Sequence, residues 1–356
     1  PPQDAAAQWD EQLLAWPRAH LLQSWGWGGL QAGAGWEVER LRIAVDGESV
    51  PLPLTALRGG AGAPGLPPRL YVPKGPACPP GNERVWAAAV AALSGLAERR
   101  GAAAVTVEPP CWYDERPLLA ASLGLAWQPA PATQPAHTAV VDLRGGEEAV
   151  LARMKPKGRY NARLAARKGV EIRTATSAAE GAAELARLCA ATARRQGINL
   201  PGAAYFRRAL ECLPSARVHL ACVAGEAVSG VLVAHFAGEM LYLYGGSTTA
   251  HRERQPSSLL HLHVIREAIA AGCDRYDLWG IPPGDDPGHA WHGLRQFKLQ
   301  LGGVERSTAG AFVLVRRPLA FRAVRTADSA RRALRRVRSN VPLQSRARAQ
   351  TPSGDT

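Results

Sequence analysis

One order of segments, β, β, β, α, β, occurs twice along this chain of 356 residues. A chain that repeats such an order is expected to build two sheets, each covered by its own helix, as one module made twice. In the first occurrence, strand-like runs at Trp36–Val45 and Ser49–Leu57 meet at Asp46-Gly47, a dipeptide that favours hairpins. RLYVPKGP then reads as a strand closed by Pro and Gly, Glu83–Arg100 as a helix and AAAVTVEPP as a strand. A helix over Asp10–Leu22 precedes these, and a short helix near Pro117–Leu123 and a strand at His137–Leu143 follow. The second occurrence opens with helices over Lys157–Lys168 and Ala178–Gln196. Its strands are Val218–Ala224 and Ala227–Phe236, turned at Gly225-Glu226, then Met240–Tyr244, a helix over Ser257–Ala271 and a strand at Arg275–Trp279.

Charge and cysteine content narrow the functional classes. The net charge of +13 resembles that of a nucleic-acid binder, but eleven arginines against one acid, Asp328, place +10 of it between Arg316 and Arg348. Such a tail attracts tRNA phosphates or an anionic membrane face, or it is a solvated, partly helical end. The six cysteines are scattered singly, as buried reduced thiols, and the His261/His263 and His289/His292 pairs lack partners at zinc-site spacing, so no metal is expected. The longest nearly charge-free apolar run, Val85–Leu96, is short of the roughly 20 residues that cross a bilayer. No early segment has the zones of a signal peptide, and a soluble, cytoplasmic protein is expected.

The repeated order is that of the GNAT class of acyltransferase folds, and fold alone does not give function. A GNAT acetyltransferase holds the CoA pyrophosphate in a glycine-rich loop before the helix, where backbone N–H groups approach the phosphates. The equivalent stretches here, KGPACPPGNERV and AHRERQPSSLL, offer no such cradle, which points to a different acyl carrier.

Two constellations carry the chemistry. In MKPKGRYNARLAARKGV, Arg159, Arg163 and Arg167 recur every four residues, so a helix ending at Gly169 presents them as one stripe suited to a phosphate backbone. The alternative is a solvated face with Tyr160 and Leu164 on the buried side. In Arg275–Gly303 a strand ends at Asp277 and Trp279, a Pro- and Asp-rich loop follows, and a short helix carries Phe297 and Lys298. A partly desolvated ammonium beside apolar surface can hold the oxyanion of an acyl-transfer intermediate. The alternative is an ordinary surface lysine.

With LQSWGWGGLQ, YVPKGP, VEPP, QPAHTAVVDL, RYNARLAARKGV, YLYGGS, Pro256, YDLWGI and FKLQLGG in order, the chain resembles the FemABX family of non-ribosomal peptidyltransferases from about Gln23 to Val315. The resemblance implies an α/β chain of two tandem GNAT-like domains with mixed sheets flanked by helices. Residues 1–143 would form the first domain, completed by about 304–325, and 144–303 the second, with an arginine-rich tail over 326–356. It implies an aminoacyl-tRNA donor, no cofactor, and an amine of a UDP-linked or lipid-linked muropeptide as acceptor. Lys298 would then stabilise the tetrahedral intermediate with Phe297 beside it, and Tyr205, Tyr242 and Tyr244 would lie near the acceptor channel. No heptad run long enough for the coiled-coil arm of some members is present, and a monomer is expected. The chain departs from the pattern where family members place a lysine and an arginine on acceptor phosphates: Gln31 and Pro201 stand there. Glu108 and Asp277 are the carboxylates to consider as bases, each also readable as structural. Two other functions remain open: acyl-CoA-dependent acylation of a small amine, and a non-catalytic scaffold that binds tRNA or a membrane.

Overall fold

The structure, a computed structural model, describes residues 3–59 and 65–327. The first half runs α1 (Gln3–Leu14), α2 (Trp25–Ala32), β1 (Glu37–Ile43), β2 (Leu52–Gly59), β3 (Arg69–Pro73), α3 (Glu83–Arg99), β4 (Ala104–Glu108), α4 (Arg116–Leu123) and β5 (Trp127–Ala130). The chain continues as β6 (His137–Asp142), α5 (Gly146–Arg153), α6 (Pro156–Arg167), β7 (Glu171–Thr174), α7 (Ala178–Gln196), α8 (Ala203–Cys212), β8 (Arg217–Val223), β9 (Glu226–Phe236) and β10 (Glu239–Ser247). It closes with α9 (Pro256–Ala270), β11 (Arg275–Gly280), α10 (His292–Gln300), β12 (Val304–Ser307) and β13 (Ala311–Val315). Residues 318–327 are helical, and residues 328–356, the greater part of the arginine-rich tail, lie outside the described residues.

Two mixed sheets result, as the repeated order predicts. One has the order β1-β2-β3-β4-β13-β5 and the other β12-β6-β11-β10-β9-β8-β7. In each, an antiparallel hairpin feeds a central strand that pairs in parallel across a helical crossover: β3 with β4 around α3, and β10 with β11 around α9. Late in the chain β13 inserts between β4 and β5 and so closes the first sheet. The boundary at 143 needs correction, because β6 pairs with β11 and β12 and therefore belongs to the second sheet. Its alternation puts Ala139 and Val141 into the core of that sheet.

Local chemistry explains where other elements depart from expectation. The first helix ends at Leu14 rather than running to Leu22, because Pro17 has no amide hydrogen and disfavours helix in the residue before it. The glycine-rich WGWGGLQA is nonetheless helical: Ser24 Oγ accepts from Trp27 N (3.1 Å) as its N-cap, and a Cβ at Gly26 would lie 2.2 Å from Cys212 O of α8. Its glycines thus permit close contact between the two halves, which compensates for the backbone entropy they lose.

Three apolar clusters form the core, one within the first sheet and one on each face of the second. The third, on the α7 and α8 face, also takes in Leu21, Leu22, Trp27 and Leu30 from the first half, so the halves share a packed interface.

Candidate active site between the parting strands

The parallel pairing of β10 with β11 runs only from Glu239↔Arg275 to Leu241↔Asp277, although β10 continues to Ser247 and β11 to Gly280. Beyond Leu241 the strands part. A register shift between Tyr242 and Tyr244 turns β10 towards β9, and another between Asp277 and Gly280 breaks the ladder from β11 to β6. The gap opens between strand ends in the middle of the sheet, where backbone groups stay free to meet a ligand.

Lys298 fills the α9 side of this gap. It is 3% exposed, and its Nζ donates to Gly280 O (2.8 Å) and Trp279 O (3.3 Å) while lying 5.4 Å from the centre of the Tyr242 ring. Burial lowers its pKa from 10.5 to about 7, against the opposing pull of the Asp277 carboxylate. An ammonium has three N–H donors, so one remains for a ligand once the two carbonyls are served. Phe297 is half-buried beside it, 5.4 Å from the His261 ring, and His261 Nδ1 lies 3.0 Å from Tyr276 Oη. Burial, with the Lys298 charge, takes His261 down to about 3, which keeps that imidazole neutral.

Asp277 shapes the strand end. One of its carboxylate oxygens accepts from Trp279 N (2.7 Å) and from Thr138 Oγ1. This holds Trp279 at φ +64, a left-handed conformation that costs a bulky side chain about 1–3 kcal/mol and turns its carbonyl towards Lys298. Glu108 likewise binds backbone, accepting from Gln134 N (2.9 Å) and Thr133 N, so both carboxylates considered as bases are committed to loop geometry.

The predicted residues fall into three groups. Lys298, Phe297 and Tyr242 meet on the α9 face, while Tyr205 and Tyr244 stack on the α7 and α8 face, rings 5.6 Å apart and hydroxyls 3.4 Å apart. The arginine stripe divides: Arg163 and Arg167 are exposed, but Arg159 Nη1 turns back to Leu151 O (3.0 Å) and Met154 O and caps α5. The buried side of α6 is Gly158, Asn161, Ala162 and Ala165, and Tyr160 is exposed, so the alternative reading that put Tyr160 on the buried side does not hold.

Glycines in the sequence motifs mark close approaches. A Cβ at Gly158 would lie 2.2 Å from Gln300 O, so α6 abuts the end of the helix that carries Lys298. At Gly246 it would lie 2.4 Å from Cys189 N, which brings α7 onto β10.

A cleft of about 570 Å³ between the halves was not legible in the sequence, because its walls come from segments far apart in the chain. His20, Lys74 and Trp112 line one side, and Thr138, Glu239, Arg275, Asp277, Trp279 and Arg306 the other. Glu239 Oε1 accepts from Arg275 Nε (2.7 Å), and its other oxygen lies 3.8 Å from His20 Nε2. Burial, reinforced by Asp277, raises the Glu239 pKa, and burial with Lys74 and Arg275 pushes His20 well down. Asp277 and Trp279 join this cleft to the Lys298 cluster: their side chains line it, while the Trp279 carbonyl binds Lys298.

Comparison with known proteins gives the class first. Residues 153–292 match the model of the acetyltransferase (GNAT) domain family, and no curated protein sequence matches the chain. Among solved structures the chain is similar to FemX, with TM-score 0.82 and 18% identity over 89% of this chain and 98% of that one. It is less similar to the C-terminal domain of a putative lysylphosphatidylglycerol synthetase from Agrobacterium fabrum (TM-score 0.53, 15% identity, 89% and 95% of the two chains). L-PGS from Bacillus licheniformis gives 0.54 and 12%, over 90% and 95%. At these identities the likeness is one of fold: a tandem GNAT architecture of the FemX kind, which bears out the resemblance read in the sequence.

Proposed function

We propose that this chain is an aminoacyltransferase that moves an amino acid from aminoacyl-tRNA to an amine of a peptidoglycan precursor. The observation that carries the reading is the buried Lys298 ammonium, held by two carbonyls where β10 and β11 part. The ester enters the gap, and a neutral acceptor amine attacks its carbonyl carbon. The oxyanion that forms takes the remaining N–H of Lys298. Collapse of the tetrahedral intermediate breaks the bond to the ribose oxygen, which leaves with the proton that the amine gives up. An activated ester needs little beyond this positioning and charge stabilisation.

Two features favour a tRNA-borne donor over acyl-CoA. The turn before α9 contains no glycine from Ser247 to Ala271, so a cradle of backbone amides for pyrophosphate is missing there. On α6, Arg163 and Arg167 stay exposed as a basic face suited to a phosphate backbone. The cleft suits the acceptor, since Lys74 and Arg306 on its walls offer positive charge to the acceptor's anionic part.

The test is transfer of radiolabelled amino acid from a pool of charged tRNA to UDP-linked and lipid-linked muropeptides, with labelled acyl-CoA as a competing donor. Label in a muropeptide supports the proposal and names the acceptor. Label taken only from acyl-CoA makes the chain an N-acyltransferase of the ordinary GNAT kind.

A further inference from the structure

The sequence places no metal ligands at recognisable spacing, yet folding assembles a set that spacing does not reveal. His263 and Glu267 stand one turn apart on α9, and His219 faces them from β8. Their ligand atoms all lie within 4.8 Å of one another. His219 Nε2 is 3.0 Å from a Glu267 carboxylate oxygen, the same oxygen is 3.9 Å from His263 Nε2, and the two imidazole rings are 5.1 Å apart.

The state of His219 points to a ligand. Its side chain is 1% exposed, and Nδ1 lies 2.9 Å from Thr174 Oγ1 on the neighbouring strand β7. Its Nε2 is buried and aims into the cluster, where it faces the Glu267 carboxylate oxygen at 3.0 Å, off the line of a well-formed hydrogen bond. When Nδ1–H donates to Thr174, Nε2 keeps its lone pair for the cluster, and such an outer hydrogen bond is how metal-ligating histidines are held in one tautomer.

We propose that His219, His263 and Glu267 form a binding site for a divalent transition metal of the zinc class. Two imidazoles and one carboxylate are a donor set that suits Zn²⁺, with water completing a tetrahedron. The set needs a small rearrangement, because tetrahedral donors at zinc–ligand distances of roughly 2.0–2.2 Å stand roughly 3.3–3.6 Å apart: His263 has to close from 3.9 Å while the His219–Glu267 pair opens slightly from 3.0 Å, and this is the closure required. His263 and Glu267 can supply that closure, being 38% and 35% exposed, whereas Thr174 fixes His219. The metal would pin α9 to β8. That helix also carries His261, which packs against the Lys298 cluster from another face, so the metal would stiffen one wall of the candidate active site from outside it.

The experiment uses the full chain without a histidine tag, stripped with chelator and dialysed against Zn²⁺ or Co²⁺. The expected result is one tightly bound equivalent, a thermal midpoint that rises with Zn²⁺ concentration, and a Co²⁺ spectrum of low-coordinate type. Glu267→Gln and His263→Ala change partly exposed side chains; each should keep the metal-free midpoint near that of the parent while weakening binding at least tenfold. A chain that takes up no stoichiometric Zn²⁺, or one whose binding survives both substitutions unchanged, overturns the proposal. Because uptake is read directly, the outcome does not depend on which acyl donor the enzyme uses.

Discussion

Lys298 Nζ lies 2.8 Å from Gly280 O, at the point where β11 has already left β10, so the ammonium takes the place of a backbone partner that the parted strands do not provide. Burial holds this lysine near pKa 7, and its two protonation states predict opposite pH behaviour. As an oxyanion holder it must be protonated, so kcat/KM should fall as pH rises through about 7. A rate that climbs through this range and stays high would make the neutral amine a base instead. Profiles of the parent and of Lys298→Met, which should be far slower and lack this limb, distinguish the two.

The same shift predicts stability. The folded pKa lies below the unfolded one, so between about 7 and 10.5 the unfolded chain binds more protons, and stability contributed by this site rises with pH across that window. In Lys298→Met this contribution disappears. The difference in thermal midpoint, variant minus parent, should therefore shrink from pH 7 to pH 10, and a constant difference would contradict a buried lysine with a lowered pKa.

Gly158 and Gly246 should not tolerate a methyl group. Alanine at either site meets backbone, Gln300 O at 2.2 Å or Cys189 N at 2.4 Å, and should cost about 1–3 kcal/mol in denaturant unfolding. Gly202→Ala, with nothing within 4 Å, is the control and should stay within about 0.5 kcal/mol.

Gln23 is fully buried, and its side chain stitches the segment before α2 to β2 and β3. Its amide donates to Thr55 O (3.1 Å) and Pro73 O (2.6 Å), and its carbonyl oxygen accepts from Thr55 N (2.8 Å). Gln23→Ala strands these groups at about 1–3 kcal/mol each, and Gln23→Glu should be no better, because a carboxylate cannot donate to the two carbonyls. Equilibrium unfolding checks both.

The arginines of α6 should separate by function. Arg163→Glu with Arg167→Glu should weaken tRNA binding and reduce the salt slope by roughly 2, one for each phosphate that an arginine no longer neutralises. Arg159→Ala should instead lower the thermal midpoint, since Arg159 caps α5, and leave the salt slope unchanged. Filter binding across a salt series, with melting curves, reads both effects.

Much of the fold was legible because alternation, helical period and turn chemistry agreed over β1 to β4 and again over β8 to β11, where the sequence-predicted strands fall within a few residues of those observed. The misses have physical causes. β7 and β5 have only four residues each, too few for a period to register, and α2 hides behind glycines that serve packing rather than turns. Lys298 could be singled out from its apolar neighbour, but its burial depends on the parting of two strands, a tertiary event. His219 could not be linked to His263 and Glu267, because the crossover that brings β8 beneath α9 leaves no trace in local spacing.

Single-turnover transfer from labelled aminoacyl-tRNA to a muropeptide, by parent and Lys298→Met proteins matched in folding, tests the central claim most directly. The account predicts a rate constant lowered by at least about 100-fold in the variant with donor affinity nearly unchanged, the mark of an interaction made only in the transition state. Equal rate constants for the two proteins would contradict it.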